Sequence, residues 1–80
     1  MKVNVLYFGK IAALTQLKSE VVEMQGDSCT VNELQIKLGA SYVELKNSTF
    51  RVAVNRTLRN HNDLISDQDE VAFLPPYAGG

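Results

Sequence analysis

The sequence predicts an α+β domain in which a mixed β-sheet carries one principal helix on one face. Three observations lead to this prediction. The chain has 80 residues, which is the size of a single small domain. Several short segments are rich in β-branched and aromatic residues and end at glycine or proline. Between them lies one segment with a complete helix-start motif.

The first half of the chain alternates strands with helices. Residues 2–8 predict a strand that ends at Gly9. A short helix of about two turns follows, because apolar residues recur at three-residue spacing: Ile11, Leu14 and Leu17. Residues 19–24 predict a second strand, which the turn-forming residues 25–28 close.

The principal helix has the clearest start in the sequence. Thr30 and Glu33 form the Thr-x-x-Glu capping box, in which each side chain accepts a hydrogen bond from a backbone N–H of the other residue. Cys29 and Leu34 have the spacing of a hydrophobic staple, so we interpret the single cysteine as structural. Gly39 is predicted to cap the end of the helix. The buried stripe is predicted to consist of Val31, Leu34 and Leu38.

The second half of the chain predicts strands joined by turns. Residues 50–54 alternate cleanly, and residues 70–74 form the last strand, which Pro75-Pro76 ends because proline cannot donate to a ladder. Between them we predict a turn, a short strand, a polar loop and a second turn: residues 55–56, 57–59, 60–63 and 67–69. This order predicts a ubiquitin-like β-grasp domain over residues 1–74 and a flexible tail over residues 75–80.

The strand pattern predicts an apolar surface on the side of the sheet opposite the helix. A sheet covered on one face should alternate apolar with polar residues. Here the positions expected to face solvent are also apolar: Leu6, Phe8, Ala53, Ala72 and Leu74. Such a patch usually marks a partner site, and we expect Phe8, Leu58 and Leu74 to be its main contacts. The alternative is that the first helix or residues 40–49 cover part of this face.

The composition excludes several classes of function. Eight basic and nine acidic residues give a net charge of −1, which argues against nucleic-acid binding. A single cysteine excludes an intramolecular disulfide, and no apolar run is long enough to span a membrane, so we expect a cytoplasmic protein. His61 lies in a polar loop without a nearby nucleophile, and no acidic residues have metal-ligand spacing. No metal and no permanently bound cofactor is expected.

The C-terminal tail is the strongest candidate for chemistry. After Pro75-Pro76 the chain ends in Tyr77, Ala78, Gly79 and Gly80. Extended, residues 75–80 reach about 20 Å, and glycine lets another backbone approach closely. Tyr77, Ala78 and Gly79 could therefore thread a narrow channel and present the carboxylate of Gly80 to a partner. Because a carboxylate needs activation, the chemistry this suggests is adenylation by a partner that uses ATP.

The sequence resembles the small, sulfur-carrier subunits of molybdopterin synthase. The resemblance spans the chain and is concentrated in the run Asp-x-Asp-Glu-Val-Ala-Phe-x-Pro-Pro-x-x-Gly-Gly, residues 67–80. It implies that an adenylating enzyme similar to the ubiquitin-activating enzymes uses ATP to adenylate Gly80, which is then converted to a thiocarboxylate. It also implies sulfur donation to a pyranopterin precursor in a heterotetramer of two small and two large subunits. The resemblance implies partner contacts at Phe8, Leu58 and Leu74. We expect Pro75 and Pro76 to contact the partner as well.

One departure and three alternatives accompany this resemblance. Relatives commonly have Gly where this chain has Gln68. If this position has a positive φ, glutamine there would destabilise the fold by about 1 kcal/mol relative to glycine. The alternatives are a sulfur carrier for thiamine thiazole synthesis, a ubiquitin-like modifier joined to lysines through Gly80, and an interaction module with no chemistry of its own. The carrier would be a subunit of a sulfurtransferase and not catalytic by itself.

Overall fold

The computed structural model describes residues 1–76, and its main element is a five-stranded mixed sheet. Its strands are β1 (Lys2–Tyr7), β2 (Ser19–Glu23), β4 (Arg51–Val54), β5 (Thr57–Arg59) and β7 (Glu70–Leu74). The strand order is β2-β1-β7-β4-β5, in which β1 and β7 are parallel and the other neighbours are antiparallel. The predicted α+β class with a mixed sheet is confirmed.

A second, two-stranded sheet was not predicted. It pairs β3 (Ser28–Thr30) with β6 (Leu64–Ser66) in antiparallel register, with Cys29 opposite Ile65. Both of these residues are buried in the core. This small sheet therefore anchors the start of the principal helix to the second half of the chain.

The principal helix begins and packs as the sequence indicates. Helix α2 (Val31–Ser41) starts at Thr30, whose side chain accepts a hydrogen bond from the Glu33 amide at 3.1 Å while the Glu33 carboxylate accepts from the Thr30 amide at 2.8 Å. The predicted stripe is buried, at Val31, Leu34 and Leu38. The prediction for Gly39 was wrong: it lies inside the last turn of the helix.

Gly39 has a packing role instead. A Cβ atom added there would lie 3.1 Å from Cγ of Lys46. Lys46 belongs to the 3₁₀ helix η1 (Val43–Asn47), which is separated from α2 by Tyr42 alone. The absence of a side chain thus lets the aliphatic part of Lys46 lie against the end of α2.

The core lies between the main sheet and the helices. Val3, Val5 and Tyr7 of β1 are buried on this side, and Val71 and Phe73 of β7 lie beside them. Helix α1 (Gly9–Thr15) contributes Ile11 and η1 contributes Leu45 to the same cluster. No helix among the described residues is long and apolar enough to cross a membrane.

Candidate functional site

The opposite side of the main sheet carries a contiguous apolar face. Strand pairing places Leu58 opposite Ala53, Ala53 opposite Ala72, and Ala72 beside Leu6. These four residues form one row across β5, β4, β7 and β1, which spans about 14 Å at the usual strand spacing. None of the four belongs to the core cluster, in agreement with their placement on the other side.

A second row lies next to the first, toward the C-terminal end of β7. Leu74 is paired with Arg51, and the Phe8 amide donates to the Phe73 carbonyl at 3.1 Å, which places Phe8 beside Leu74. We define the apolar face as the six apolar residues of the two rows: Leu6, Phe8, Ala53, Leu58, Ala72 and Leu74.

The apolar face is open to solvent in the described part of the chain. Phe8 is 45% exposed and Leu58 is 49% exposed, while Leu74 is half-buried. Helix α1 and η1 do not cover it, because Ile11 and Leu45 pack on the core side. These core positions argue against the alternative that α1 and η1 shield the face. Ala53 and Ala72, although small, are nearly inaccessible at 6% and 9% exposure, so they form the floor of the face.

The tail begins beside this face, at the end of β7. Pro75 follows Leu74 directly and is exposed, and Pro76 is half-buried. Gly9 contacts this point: a Cβ atom added to Gly9 would lie 2.9 Å from Cγ of Pro75. Gly9 also has a φ of +55°, which a residue with a side chain adopts only with strain. This contact could not be predicted from the sequence, because only the parallel pairing of β1 with β7 brings the two residues together.

The four predicted tail residues Tyr77, Ala78, Gly79 and Gly80 lie outside the described residues. Their roles in threading and chemistry, and the domain boundary at residue 74, stay predictions. The contact roles of Phe8, Leu58, Leu74, Pro75 and Pro76 also stay predictions, although all five lie on the apolar face or immediately after it.

A half-buried carboxylate, that of Glu20, links β1 to the end of α2. The Glu20 carboxylate accepts a hydrogen bond from the Tyr7 hydroxyl at 2.6 Å and another from the Tyr42 hydroxyl at 2.7 Å. Burial, followed by the hydrogen bond to Glu20, raises the pKa of Tyr7 well above its usual range. The hydrogen bond to Glu20 is the main cause that raises the pKa of Tyr42. The sequence missed this link, because Glu20 is 13 and 22 residues from its two partners.

Within residues 1–76, neither of the two candidate reactive side chains, Cys29 and His61, is an activated nucleophile. Cys29 is only 4% exposed, and burial together with the nearby Glu33 raises the pKa of its thiol. His61 is exposed, and it lines a cleft with Asn32 and Arg59 and without a cysteine or serine. Within the same residues no three histidine, cysteine or acidic side chains are grouped as metal ligands.

Three comparisons connect this geometry with known proteins. The model of the ThiS family matches residues 5–80. The molybdopterin synthase sulfur carrier subunit of Mycobacterium tuberculosis is 40% identical over 100% of this chain and 99% of its own length. The small archaeal modifier protein SAMP1 of Haloferax volcanii superposes with a TM-score of 0.84 at 20% identity, and the match covers both chains completely.

A structure from Helicobacter pylori adds information on assembly. It is described as the complex of subunits 1 and 2 of the molybdopterin-converting factor, and its matching chain has a TM-score of 0.69 at 25% identity over both whole chains. The fold is therefore the predicted ubiquitin-like β-grasp. The chain belongs to the ThiS family, as a full-length homologue of the molybdopterin synthase sulfur carrier subunits.

Proposed function

We propose that this chain is the sulfur-carrier subunit of a molybdopterin synthase. The observation that carries the proposal is the full-length similarity to a relative of that name, which extends to the terminal Gly79-Gly80. On this proposal the working group is the carboxylate of Gly80, and the large synthase subunit covers the apolar face.

The side chains of this chain support a carrier role, in which the partners supply the catalytic groups. The single cysteine is buried with a raised pKa, and the candidate histidine has no nucleophile beside it. A carrier needs neither, because its reactive group is the chain terminus and its partners supply the catalytic side chains. It does need a docking surface next to the tail, and the apolar face ends at Leu74, one residue before Pro75.

The proposed chemistry has four steps. The Gly80 carboxylate attacks the α-phosphate of ATP on an adenylating enzyme similar to the ubiquitin-activating enzymes, and pyrophosphate leaves. Sulfide then attacks the carbonyl carbon, so that a C–S bond forms as the C–O bond to AMP breaks. In the synthase, a heterotetramer of two small and two large subunits, the thiocarboxylate sulfur attacks a carbon of the pyranopterin precursor and displaces an oxygen leaving group, which gives a thioester between Gly80 and the precursor. Water then breaks the C–S bond at the Gly80 carbonyl, so that the carboxylate is restored and the sulfur stays on the pterin as a thiolate.

The deciding experiment is intact mass spectrometry of the full chain after incubation with ATP, the organism's adenylating enzyme and a sulfide source. We expect the mass to increase by the difference between a sulfur and an oxygen atom. The matched control is the chain that lacks only Gly80, which should keep its original mass and still bind the large subunit.

Other products would contradict the proposal. An unchanged mass with an adenylating enzyme that thiolates its own known substrate would exclude a sulfur carrier. Isopeptide-linked conjugates to lysines would identify a protein modifier instead. Transfer of the sulfur to thiazole synthesis and not to a pyranopterin would identify the thiamine branch.

A further inference from the structure

Arg51 is the one charged side chain in the two rows that contain the apolar face, among the described residues. It begins β4 and is paired with Leu74, so its side chain lies on the same side of the sheet as Leu74 and Phe8. Arg51 is exposed. It is therefore a cation at the margin of an apolar surface, beside the residue from which the tail leaves.

This guanidinium has no internal counterion in the described part of the chain. No carboxylate of residues 1–76 lies within 4.0 Å of it, and the single ion pair found there joins Arg56 to Glu70 at 4.0 Å. The β4–β5 hairpin and the residues next to it cannot neutralise Arg51, because residues 50–62 contain three arginines and no acidic residue. The positive charge beside the apolar face thus remains uncompensated within the fold.

A partner that covers Leu74 and Phe8 must also cover Arg51, since all three lie in one row. Removing a guanidinium from water without an acceptor is costly, whereas a carboxylate can accept two parallel hydrogen bonds from it. Arginine is also among the residues that most often dominate protein interfaces. The partner is therefore expected to place an acidic side chain opposite Arg51.

We propose that Arg51 is a specificity residue of the docking surface, and that it pairs with an Asp or Glu of the large subunit. This inference rests on the proposed function, since it assumes that the large subunit covers the apolar face. A nucleic-acid phosphate is a poorer candidate, because the row offers apolar side chains beside Arg51 and the chain has a net charge of −1. The pair would fix the orientation of the carrier, and with it the direction in which the tail enters the partner.

The test measures the dissociation constant of the full-length chain with the large subunit of the same organism by titration calorimetry. Arg51→Glu should weaken binding by about tenfold or more, because a like-charge contact replaces the ion pair. The matched control is Lys37→Glu, which makes the same change of charge on the exposed side of α2, away from the apolar face; it should change binding by less than about twofold. Arg51→Lys should fall between wild type and Arg51→Glu, because it keeps the charge without the planar fork.

Each outcome decides between the two proposals. If the wild-type chain does not bind the large subunit, the proposed function fails and this inference fails with it. If the wild type binds and Arg51→Glu binds equally well, or if Lys37→Glu weakens binding as much, only the role of Arg51 is overturned. Restored binding of Arg51→Glu to one Asp→Lys or Glu→Lys variant of the large subunit would identify the partner residue. Circular dichroism melting of the variants checks that they fold like the wild type.

Discussion

At the scale of single residues, Glu20 joins three separate elements of the fold. Its carboxylate accepts two tyrosine hydroxyls, one from β1 and one from the residue after α2, so a single side chain links an edge strand, a central strand and a helix end. The hydrogen bonds require both phenols to be protonated. The native state therefore holds protons that the unfolded chain would release at high pH.

This arrangement predicts a loss of stability at alkaline pH. The native pKa of Tyr7 lies far above its unfolded value of 10.0, so above pH 10 the native state binds one more proton than the unfolded state. The free energy of unfolding should then fall by about 1.4 kcal/mol per pH unit from this group. Urea denaturation at pH 8, 10 and 11 measures the slope, and Tyr7→Phe should remove this part of it.

The comparison with Tyr7→Phe separates this cause from general alkaline denaturation. The pKa of Cys29 is also raised from 9.0, and that contribution should persist in the variant. If the wild type and Tyr7→Phe lose stability in parallel between pH 10 and 11, the link to Glu20 does not hold the Tyr7 proton.

Residue-level prediction from sequence succeeded where partners are close along the chain. Thr30 and Glu33 are three residues apart, and their capping box was readable because the pattern is local. The role of Glu20 was not readable, because its partners reach it only through the pairing of β1 with β2 and the packing of α2. Gly9 and Pro75 were equally unreadable as a pair for the same reason.

At the scale of elements, the turn between β6 and β7 is held against β1 by one backbone and one side-chain hydrogen bond. The Gln68 amide donates to the Lys2 carbonyl at 2.7 Å, and the Lys2 amide donates to the Asp67 carboxylate at 2.7 Å. Asp69 closes the turn by accepting from the Ser66 amide at 2.8 Å. Gln68 occupies the left-handed region with a φ of 69°, so the positive φ considered from the sequence is confirmed.

Replacing Gln68 by glycine should stabilise the protein. The left-handed conformation costs a residue with a side chain about 1 to 2 kcal/mol, and glycine removes this cost. The greater conformational entropy of glycine in the unfolded chain offsets about 0.5 to 1 kcal/mol of the gain. We expect the free energy of unfolding to rise by about 0.5 to 1 kcal/mol, measured by urea denaturation at pH 7. Gln68→Ala is the control, since it removes the side chain but keeps the strain. An equal gain from alanine would show that the side chain, not the backbone, is the cause.

Element prediction failed for the shortest strands. β3 and β6 have three residues each, and β3 begins within a stretch that contains turn-forming residues such as Gly26 and Asp27. Their strand character comes from pairing with each other across more than 30 residues, and not from local preference. β5 is equally short, but the hairpin turn at Asn55-Arg56 made it predictable from local sequence.

At the scale of the whole molecule, the alternation of the strands predicted which surface would be free. Leu6, Phe8, Ala53, Ala72 and Leu74 were assigned to the side away from the helix, and strand pairing places all five there. The sequence could not show whether another segment covered that side, because α1 and η1 could have packed on either face. Nor did it single out Arg51, because its position beside Leu74 depends on the register of β4 with β7.

The apolar face lies outside the core cluster, so we expect that binding to the proposed partner can be lost without loss of folding. Leu74→Glu places a charge on the apolar face but not in the core cluster, so it should weaken association with the large subunit by at least about tenfold and leave the unfolding midpoint nearly unchanged. Leu64→Glu is the matched control, because Leu64 is 65% exposed on β6 in the second sheet, and it should bind like the wild type. Calorimetric titration and urea denaturation of both variants give the two quantities. If Leu74→Glu unfolds the domain, or if Leu64→Glu weakens binding equally, the assignment of the docking face is wrong. If Leu74→Glu alone loses binding while the chain without Gly80 retains it, docking and chemistry reside in separate parts of the protein.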